Sequence, residues 1–377
     1  MEKIIFRKFL YDFISFFLIV SFSLSLIAWV IQSVNYLDFI SKDGHGFRVY
    51  FAFVSLNFPK IFSKVIIFSY FISLFYIIQK YQSNNEILIF WINGVSKIKL
   101  INFIIKVSVI FTILQIILVY LIIPKTQDYS RDFIRTSNID LFSSLITEKK
   151  FIDTVKNFTI FVEKIDENGI MENIYLKDSV NETNTQIISA RSGKIIEKGK
   201  DKFLYLNYGQ ILDIENKNFK NTKVIKFNNT TFNLSNLKSK TTTIPKFQEL
   251  DSSVLFNCIN NFVFGKKENY TLPIFRCTKE SSVKSTKELF NRSIKQLYII
   301  ILGVIATILI FTNDKYKNNS AIKVLIFFTG IFLSIVSEVN AEFINLSFLN
   351  NIIFIFLPLI IFFSVYLLIL NLNNKHI

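Results

Sequence analysis

The chain has 377 residues, of which 51% are hydrophobic and 43 are phenylalanine, and its mean hydropathy is +0.40. This composition is too apolar for an ordinary soluble protein and indicates an integral membrane protein with some soluble mass. The formal charge of +15 is scattered without an arginine-rich tract, so lipid headgroups are favoured over nucleic acid as the anionic partner.

Three apolar runs in the first third of the chain predict membrane spans, because each supplies the ~20 residues needed to cross a bilayer. The runs are Phe9–Val34, Ile61–Lys80 and Ile101–Ile123. A polar loop is predicted over Asn35–Lys60, and Pro124 is expected to end the third span. Basic residues before the first run place the amino terminus in the cytoplasm by the positive-inside rule.

A short amphipathic stretch lies between the second and third runs and predicts a helix over 83–97. Asn84 or Asn85 can cap it, Glu86 places a negative charge at its positive end, and Gly94 indicates its end. The apolar residues at helical spacing are Ile87, Phe90, Trp91 and Val95. By itself this pattern also fits a connector helix on the membrane surface.

Between Lys125 and about Leu289 polar and charged residues rise, and alternation replaces continuous hydrophobicity. Short strands are predicted over 157–165, 173–177, 203–206 and 210–214. Turns are predicted at Asp166–Gly169, Ser192–Gly193 and Asn207–Gly209. Strands at this spacing predict an all-β sandwich or jelly roll, on the non-cytoplasmic side because three spans precede it.

Three further spans follow the β region, so that both termini are predicted to be cytoplasmic. They are Ile294–Phe311, Ile322–Val336 and Asn351–Leu370. The predicted organisation is therefore three spans with a cytoplasmic helix (residues 1–124), an external β domain (125–289) and three spans (290–377).

Motifs for independent catalysis are missing from the sequence. Neither a Walker A loop, an HExxH motif nor a GxSxG motif occurs, and no predicted span contains a histidine. The two cysteines and two histidines offer little for a metal site. We therefore expect a non-enzymatic protein that binds no cofactor and that takes energy for any transport from a partner.

The outer ends of the spans carry several cations on the side where the positive-inside rule does not require them. They are Lys60, Lys64, Arg131, Arg135, Arg292 and Lys295. Each can anchor a helix at the interface, and as a set some of them can hold a phosphorylated lipid headgroup. Cys258 and Cys277 lie in the predicted external domain, where a disulfide is one of two open alternatives.

Seven segments together carry a resemblance to a known family. In chain order they are Phe58–Ile61, Asn84–Ser96, Thr159–Lys164, Ile174–Asp178, Ala190–Gly193, Leu204–Gly209 and Glu288–Arg292. Their order and spacing resemble the LptF/LptG permease family of the lipopolysaccharide exporter. Phe90–Asn93 departs from the small and basic residues usual between the family's Glu and Gly. The fifth and sixth spans match by hydropathy alone.

The resemblance implies an inner-membrane ABC transporter permease that extracts lipopolysaccharide, driven by ATP hydrolysis in a separate LptB-like ATPase dimer. The helix over 83–97 would be the coupling helix, with Glu86, Ile87, Phe90, Trp91 and Gly94 at the ATPase contact. A second LptF/LptG-type permease would complete the lipid cavity, with spans one and five as its lateral gate. The periplasmic jelly roll would pass the lipid to an LptC/LptA-like bridge.

Two other readings stay open on the residues alone. One is a lipoprotein-releasing or mechanotransmitting permease. Such a permease usually has four spans with the external domain after the first, whereas three predicted spans precede the β region here. A non-transporting scaffold or sensor would use the β domain to bind a ligand, and it would need a partner for its output.

Overall fold

The structure is a computed structural model that describes residues 2–41, 46–136, 146–153, 157–166, 168–179, 184–198, 201–215, 222–234, 245–263, 271–272, 275–312, 319–344 and 348–375. Six helical stretches within these residues are long and apolar enough to cross a membrane. In chain order they are Glu2–Asn35, Phe47–Ser83, Lys97–Ile134, Lys279–Phe311, Ser320–Phe343 and Asn351–Asn374, called spans 1 to 6 below. Three spans precede the β strands in the sequence and three follow them.

Span 2 is longer than the sequence predicts. Its helix begins at Phe47, and a short helix at Asp38–Ser41 precedes it, so the predicted loop over Asn35–Lys60 is wrong for most of its length. Residues 47–58 are apolar and aromatic enough to continue the helix outward. Pro59 lies inside this helix, a position that costs one backbone hydrogen bond but that a long membrane helix tolerates.

Span 3 also continues past the proline that was expected to end it. The helix Lys97–Ile117 passes into a π-helical turn, Leu118–Ile122, and then into the helix Ile123–Thr136. Pro124 is the second residue of that last helix, which continues directly from the π-helical turn, so the proline lies inside one continuous helical stretch. The prediction that Pro124 closes the span is therefore wrong.

A further set of helices follows the six strands of the large sheet. They are the 3₁₀ helix Phe247–Glu249, the helices Ser252–Val263 and Lys279–Arg292, the 3₁₀ turn Ile294–Leu297, the helix Tyr298–Thr307, the 3₁₀ turn Ile308–Phe311, the helix Asn319–Val339, the 3₁₀ turn Asn340–Phe343 and the helix Phe348–Lys375. Span 4 is the most enclosed of the six spans: Tyr298, Leu302 and Val304 are fully buried. It packs against span 3, where Ser108 Oγ lies 2.7 Å from the Tyr70 hydroxyl of span 2.

Six strands form one antiparallel sheet in sequential order. They are β1 (Phe151–Ile152), β2 (Phe158–Ile165), β3 (Ile170–Asp178), β4 (Asn184–Lys198), β5 (Asp201–Glu215) and β6 (Thr222–Asn233). A separate two-stranded ribbon pairs β7 (Thr271–Leu272) with β8 (Phe275–Arg276). The β domain is thus confirmed, whereas the jelly roll is not, because the described strands of the large sheet follow one another as a meander.

Two of the predicted turns lie inside strands. Gly169 has a φ of 72° in the turn between β2 and β3, as predicted. Ser192–Gly193 lies within β4 and Asn207–Gly209 within β5, so these two turn predictions are wrong. Gly209 has a packing role instead, because a Cβ there would overlap the Ser189 carbonyl oxygen and the Phe227 ring.

The chain divides into two compact units. One comprises Met1–Val30, Asn57–Asp128 and Pro245–Ile377, with its core formed by aromatic and aliphatic residues of the spans. The other comprises Ile31–Leu56 and Tyr129–Ile244, and its core lies on one face of the sheet. The predicted β-domain boundary at 289 therefore moves to 244, since the amphipathic helices after 245 pack with the spans.

Candidate functional site

The segment that connects spans 2 and 3 contains one short helix, Ile87–Ile92, within the predicted range 83–97. Asn85 has a φ of 57° and ends the preceding helix, so it does not cap the next one. Glu86 occupies the N-cap position without a capping hydrogen bond from its side chain, and Asn84 Nδ2 donates to Glu86 Oε1 at 3.1 Å. Gly94 ends the segment with a φ of 76°, in the left-handed region that a side chain disfavours.

One face of this connecting helix belongs to the protein's own core. Phe90 is 1% exposed, and its ring lies 5.9 Å from that of Phe6 and 6.3 Å from those of Phe9 and Tyr81. Ile87 and Trp91 are partly buried against the same cluster. Phe90 is therefore a packing residue, and the sequence-based assignment of this side chain to a partner contact is wrong.

The opposite face is apolar and open. Leu88 is 49% exposed, Ile89 50% and Ile92 84%. Residues three and four apart are neighbours on a helix surface, so Ile92 lies beside both Ile89 and Leu88. These three side chains form one patch, called the connecting-helix patch below. The residues Ile-Leu-Ile-Phe-Trp-Ile are all apolar, so helical spacing alone could not show which face points outward.

The segment is fixed to the ends of spans 1 and 4. The Tyr81 hydroxyl donates to Asp12 Oδ2 at 2.7 Å. Gln82 Nε2 donates to the carbonyl oxygens of Leu309 and Thr312. A force applied to the patch would therefore reach two other spans through hydrogen bonds as well as through core packing.

Beyond the helix, two lysines extend this attachment. Lys99 Nζ lies 3.2 Å from Glu2 Oε1, and Lys97 Nζ lies 5.2 Å from the centroid of the Phe311 ring. Ser96 caps the next helix by accepting a hydrogen bond from the Lys99 amide at 3.3 Å. Specific contacts therefore fix the connecting segment at both of its ends, where span 2 ends and where span 3 begins.

At the other end of the membrane unit, a cavity of about 240 Å³ contains both signs of charge. Its charged lining residues are Lys60, Lys64, Lys295, Glu288, Glu338 and Glu342. Lys295 Nζ lies 2.5 Å from Glu338 Oε1, which ties the 3₁₀ turn Ile294–Leu297 of span 4 to span 5. Glu342 pairs with Lys287 at 3.1 Å.

Arg292 does not face the cavity as a free cation. It is 1% exposed, and its guanidinium donates to Glu288 Oε1 at 3.0 Å and to Ser252 Oγ at 2.7 Å. It also donates to three carbonyl oxygens, those of Phe247, Gln248 and Leu250. Apart from the pair with Glu288 on the same helix, these contacts join the segment after residue 245 to the first helix of span 4, so the predicted headgroup role of Arg292 is wrong.

The other predicted headgroup cations separate into two groups. Lys60 and Lys64 line the cavity and form no ion pair with a described residue, so they remain available to an anion. Arg131 lies in the unit that contains the sheet, and the side chain of Arg135 lies outside the described residues. The available cations of the cavity are thus two neighbouring lysines one helical turn apart.

A disulfide strengthens the attachment that Arg292 makes. The structure joins Cys258 and Cys277, with their Cα atoms 5.6 Å apart. The bond links the helix Ser252–Val263 to the residue just before the cap of Lys279–Arg292. The sequence could not decide whether this disulfide forms, because it does not show how close the two cysteines lie in the fold.

A family model matches nearly the whole chain, and a curated relative matches about half of it. The model of the family described as lipopolysaccharide export system permease LptF/LptG matches residues 7–372. A protein of Rickettsia prowazekii (strain Madrid E), described as uncharacterized, is 26% identical over 209 residues. That alignment covers 55% of this chain and 57% of the relative, so the chain spans little more than half the length of the relative.

Proposed function

The chain belongs to the lipopolysaccharide export system permease LptF/LptG family, and we propose that it is the permease subunit of an ABC exporter that extracts lipopolysaccharide from the inner membrane. This membership confirms the resemblance found in the sequence. In the proposal the spans cross the inner membrane, the β sheet lies in the periplasm and both termini are cytoplasmic.

The observation that carries the proposal is the connecting-helix patch of Leu88, Ile89 and Ile92. An apolar patch at the predicted cytoplasmic end of a membrane protein is unfavourable in water and favours a protein partner. We infer that an LptB-like ATPase dimer docks there, with Glu86 at the rim of the contact. Hydrolysis of ATP in the partner then moves the segment and, through Tyr81 and Gln82, the ends of spans 1 and 4.

Two further partners follow from surfaces that the chain leaves uncovered. Spans 1 and 5 expose large apolar side chains such as Ile19 (64%) and Phe332 (65%), which supports pairing with a second LptF/LptG-type permease. Strand β6 has no neighbour on its outer side among the described strands. Its free backbone groups could pair with a strand of an LptC/LptA-like bridge.

Replacing Lys60 and Lys64 together with Gln should lower photocrosslinking of lipopolysaccharide by about tenfold, because two charge-assisted contacts to phosphate are lost. The measurement is crosslinking of a photoreactive lipopolysaccharide to the purified protein. Lys125→Gln is the matched control, since Lys125 is exposed near the same end of span 3 and lies outside the cavity lining. Equal crosslinking in all three proteins would contradict a headgroup role for the lysine pair.

The experiment that tests the proposed function is co-purification of the tagged chain from its native membrane, with partners identified by mass spectrometry. We expect a cytoplasmic ABC ATPase and a second six-span permease. Recovery of the chain without an ATPase would overturn the exporter proposal. It would favour the scaffold or sensor reading instead.

A further inference from the structure

At one level across five strands of the large sheet, side chains no longer alternate between its two faces. Along a regular strand every second residue points to the same face. Here two outward residues follow one another at the same level in five strands, between inward residues that are buried or partly buried. The outward pairs are Glu163–Lys164, Glu172–Asn173, Arg191–Ser192, Asn207–Tyr208 and Asn228–Asn229.

The burial of the flanking residues establishes this change of phase. In β3, Met171 and Ile174 are both buried, with two exposed residues between them. In β5, Leu206 is buried and Gly209 pairs with the buried Ala190, again with two residues between. The sheet therefore has a transverse crease, defined by these outward pairs, that keeps its apolar face continuous.

The backbone at the crease is left-handed at two positions. Asn173 and Tyr208 both have a φ of 49°, which asparagine tolerates but tyrosine rarely adopts. Such strain at Tyr208 costs on the order of 1–3 kcal/mol and tends to occur at binding sites. Asn173 Nδ2 donates to Glu163 Oε2 across the crease, which helps to hold this conformation.

Beside the crease lies an open groove of about 700 Å³ on the face of the sheet. One row of its lining crosses five strands in register: Phe161, Tyr175, Ser189, Gln210 and Lys226. At ~4.8 Å between strands, this row extends about 19 Å, long enough for several sugar rings. The groove has a typical volume for a ligand pocket.

The groove combines aromatic rings, amides and cations that no described residue pairs with. Tyr208 is 64% exposed, and the Phe151 ring packs against that of Phe161, tilted by 32° with 4.7 Å between the centroids. Arg191 and Lys226 form no ion pair with a described residue. Two cations that the described part of the chain does not neutralise favour an anionic ligand.

We propose that this groove binds a saccharide that carries phosphate or carboxylate groups, and, resting on the proposed function, that this is the sugar portion of the exported glycolipid. Flat aromatic side chains can pack on the C–H faces of sugar rings. Asn173, Gln210 and Ser189 supply donors and acceptors for hydroxyl groups. Arg191 and Lys226 bind the acidic substituents.

The position on a face of the sheet argues against an extended peptide as the ligand. A peptide added as a strand needs free backbone groups, and those of β3, β4 and β5 are already paired on both sides. Single-stranded nucleic acid also stacks on aromatic rings, but it requires a groove with more positive charge than two cations. The polar lining here is mainly amide and hydroxyl.

The test measures binding of fluorescently labelled, deacylated lipopolysaccharide to the full-length protein in phosphatidylcholine nanodiscs. We expect Arg191→Gln and Tyr208→Asn each to raise Kd by about tenfold, since each removes one strong contact. Asn is chosen at 208 because it tolerates a positive φ. Lys194→Gln is the matched control, since Lys194 is an exposed cation of the same strand outside the groove lining, and its Kd should stay within about twofold of wild type.

Four outcomes would overturn the proposal. The first two are no binding by the wild type and unchanged binding by both variants. The third is displacement of the probe by inorganic phosphate at the same concentration as by unlabelled saccharide. The fourth is displacement by oligothymidylate at a lower concentration than by unlabelled saccharide. Binding of intact lipopolysaccharide is measured in parallel, to distinguish recognition of the lipid-anchored molecule from recognition of the free saccharide. Recovery of the ATPase with each variant is measured separately, so that a failed groove and a failed exporter proposal can be told apart.

Discussion

Ile92→Asp is expected to abolish recovery of the ATPase with the permease, lowering the recovered ATPase at least about tenfold. Ile92 is 84% exposed and lies in the centre of the connecting-helix patch. A carboxylate there would be buried without a partner in a docked complex, a change that typically costs several kcal/mol of binding free energy. The measurement is the ratio of ATPase to permease after affinity purification.

Two comparison variants make this result specific. Ser83→Asp places the same charge at an exposed site at the end of span 2, away from the patch, and should leave the ratio unchanged. Phe90→Ala should lower the amount of folded permease, because it empties a core site and costs about 3–5 kcal/mol, while the ratio in the surviving protein changes less. A normal ATPase ratio with Ile92→Asp would contradict docking on the patch.

Arg292→Gln is expected to destabilise the permease by roughly 3–5 kcal/mol, because it leaves the Glu288 carboxylate and several carbonyl oxygens without their donor. The measurement is thermal unfolding in detergent, compared with the wild type. Lys287→Gln is the control from the same helix. It breaks an exposed pair with Glu342 and should cost no more than about 1 kcal/mol.

A second variant tests the cause of this loss. Combining Arg292→Met with Glu288→Leu removes both charges, and we expect it to recover part of the lost stability. If Arg292→Gln unfolds at the wild-type temperature but loses lipid crosslinking, the anchoring role is wrong and the headgroup role returns.

Continuous hydrophobicity was sufficient to predict the six spans and their order. It failed at Pro124, which was predicted to end span 3, and over Asn35–Lys60, which was predicted to be a loop. Pro59 and Pro124 both lie inside helices, because their surroundings supply apolar residues and, at 118–122, a π-helical turn. Hydropathy reports which residues avoid water, whereas helix ends depend on backbone hydrogen bonds that the composition does not reveal.

The connecting helix was predicted in its place, but not in its orientation. Which apolar face is buried depends on Phe6, Phe9 and Tyr81, which come from other parts of the chain. Glu86 and Gly94 could be identified because a charge at a helix start and a left-handed end have local signatures. Leu88, Ile89 and Ile92 could not be distinguished from their buried neighbours.

In the sheet, local signals were misread for a related reason. Asn207-Tyr208-Gly209 has the composition of a turn, and Tyr208 does adopt a left-handed conformation. It lies in mid-strand because the neighbouring strands carry a matching irregularity at the same level, which only the register shows. Strands β4 and β6 were not predicted, because apolar and polar residues do not alternate clearly along them.

The most direct test of the exporter account places a photoreactive amino acid at position 92 and, as a matched control, at position 90 of the permease in its native membrane. The account predicts that a crosslink to a cytoplasmic ABC ATPase forms from position 92 and not from the buried position 90. Crosslinks from position 92 to lipid alone would contradict it, because the patch would then lie on the membrane. The connecting helix would not couple ATP hydrolysis to movement of the spans.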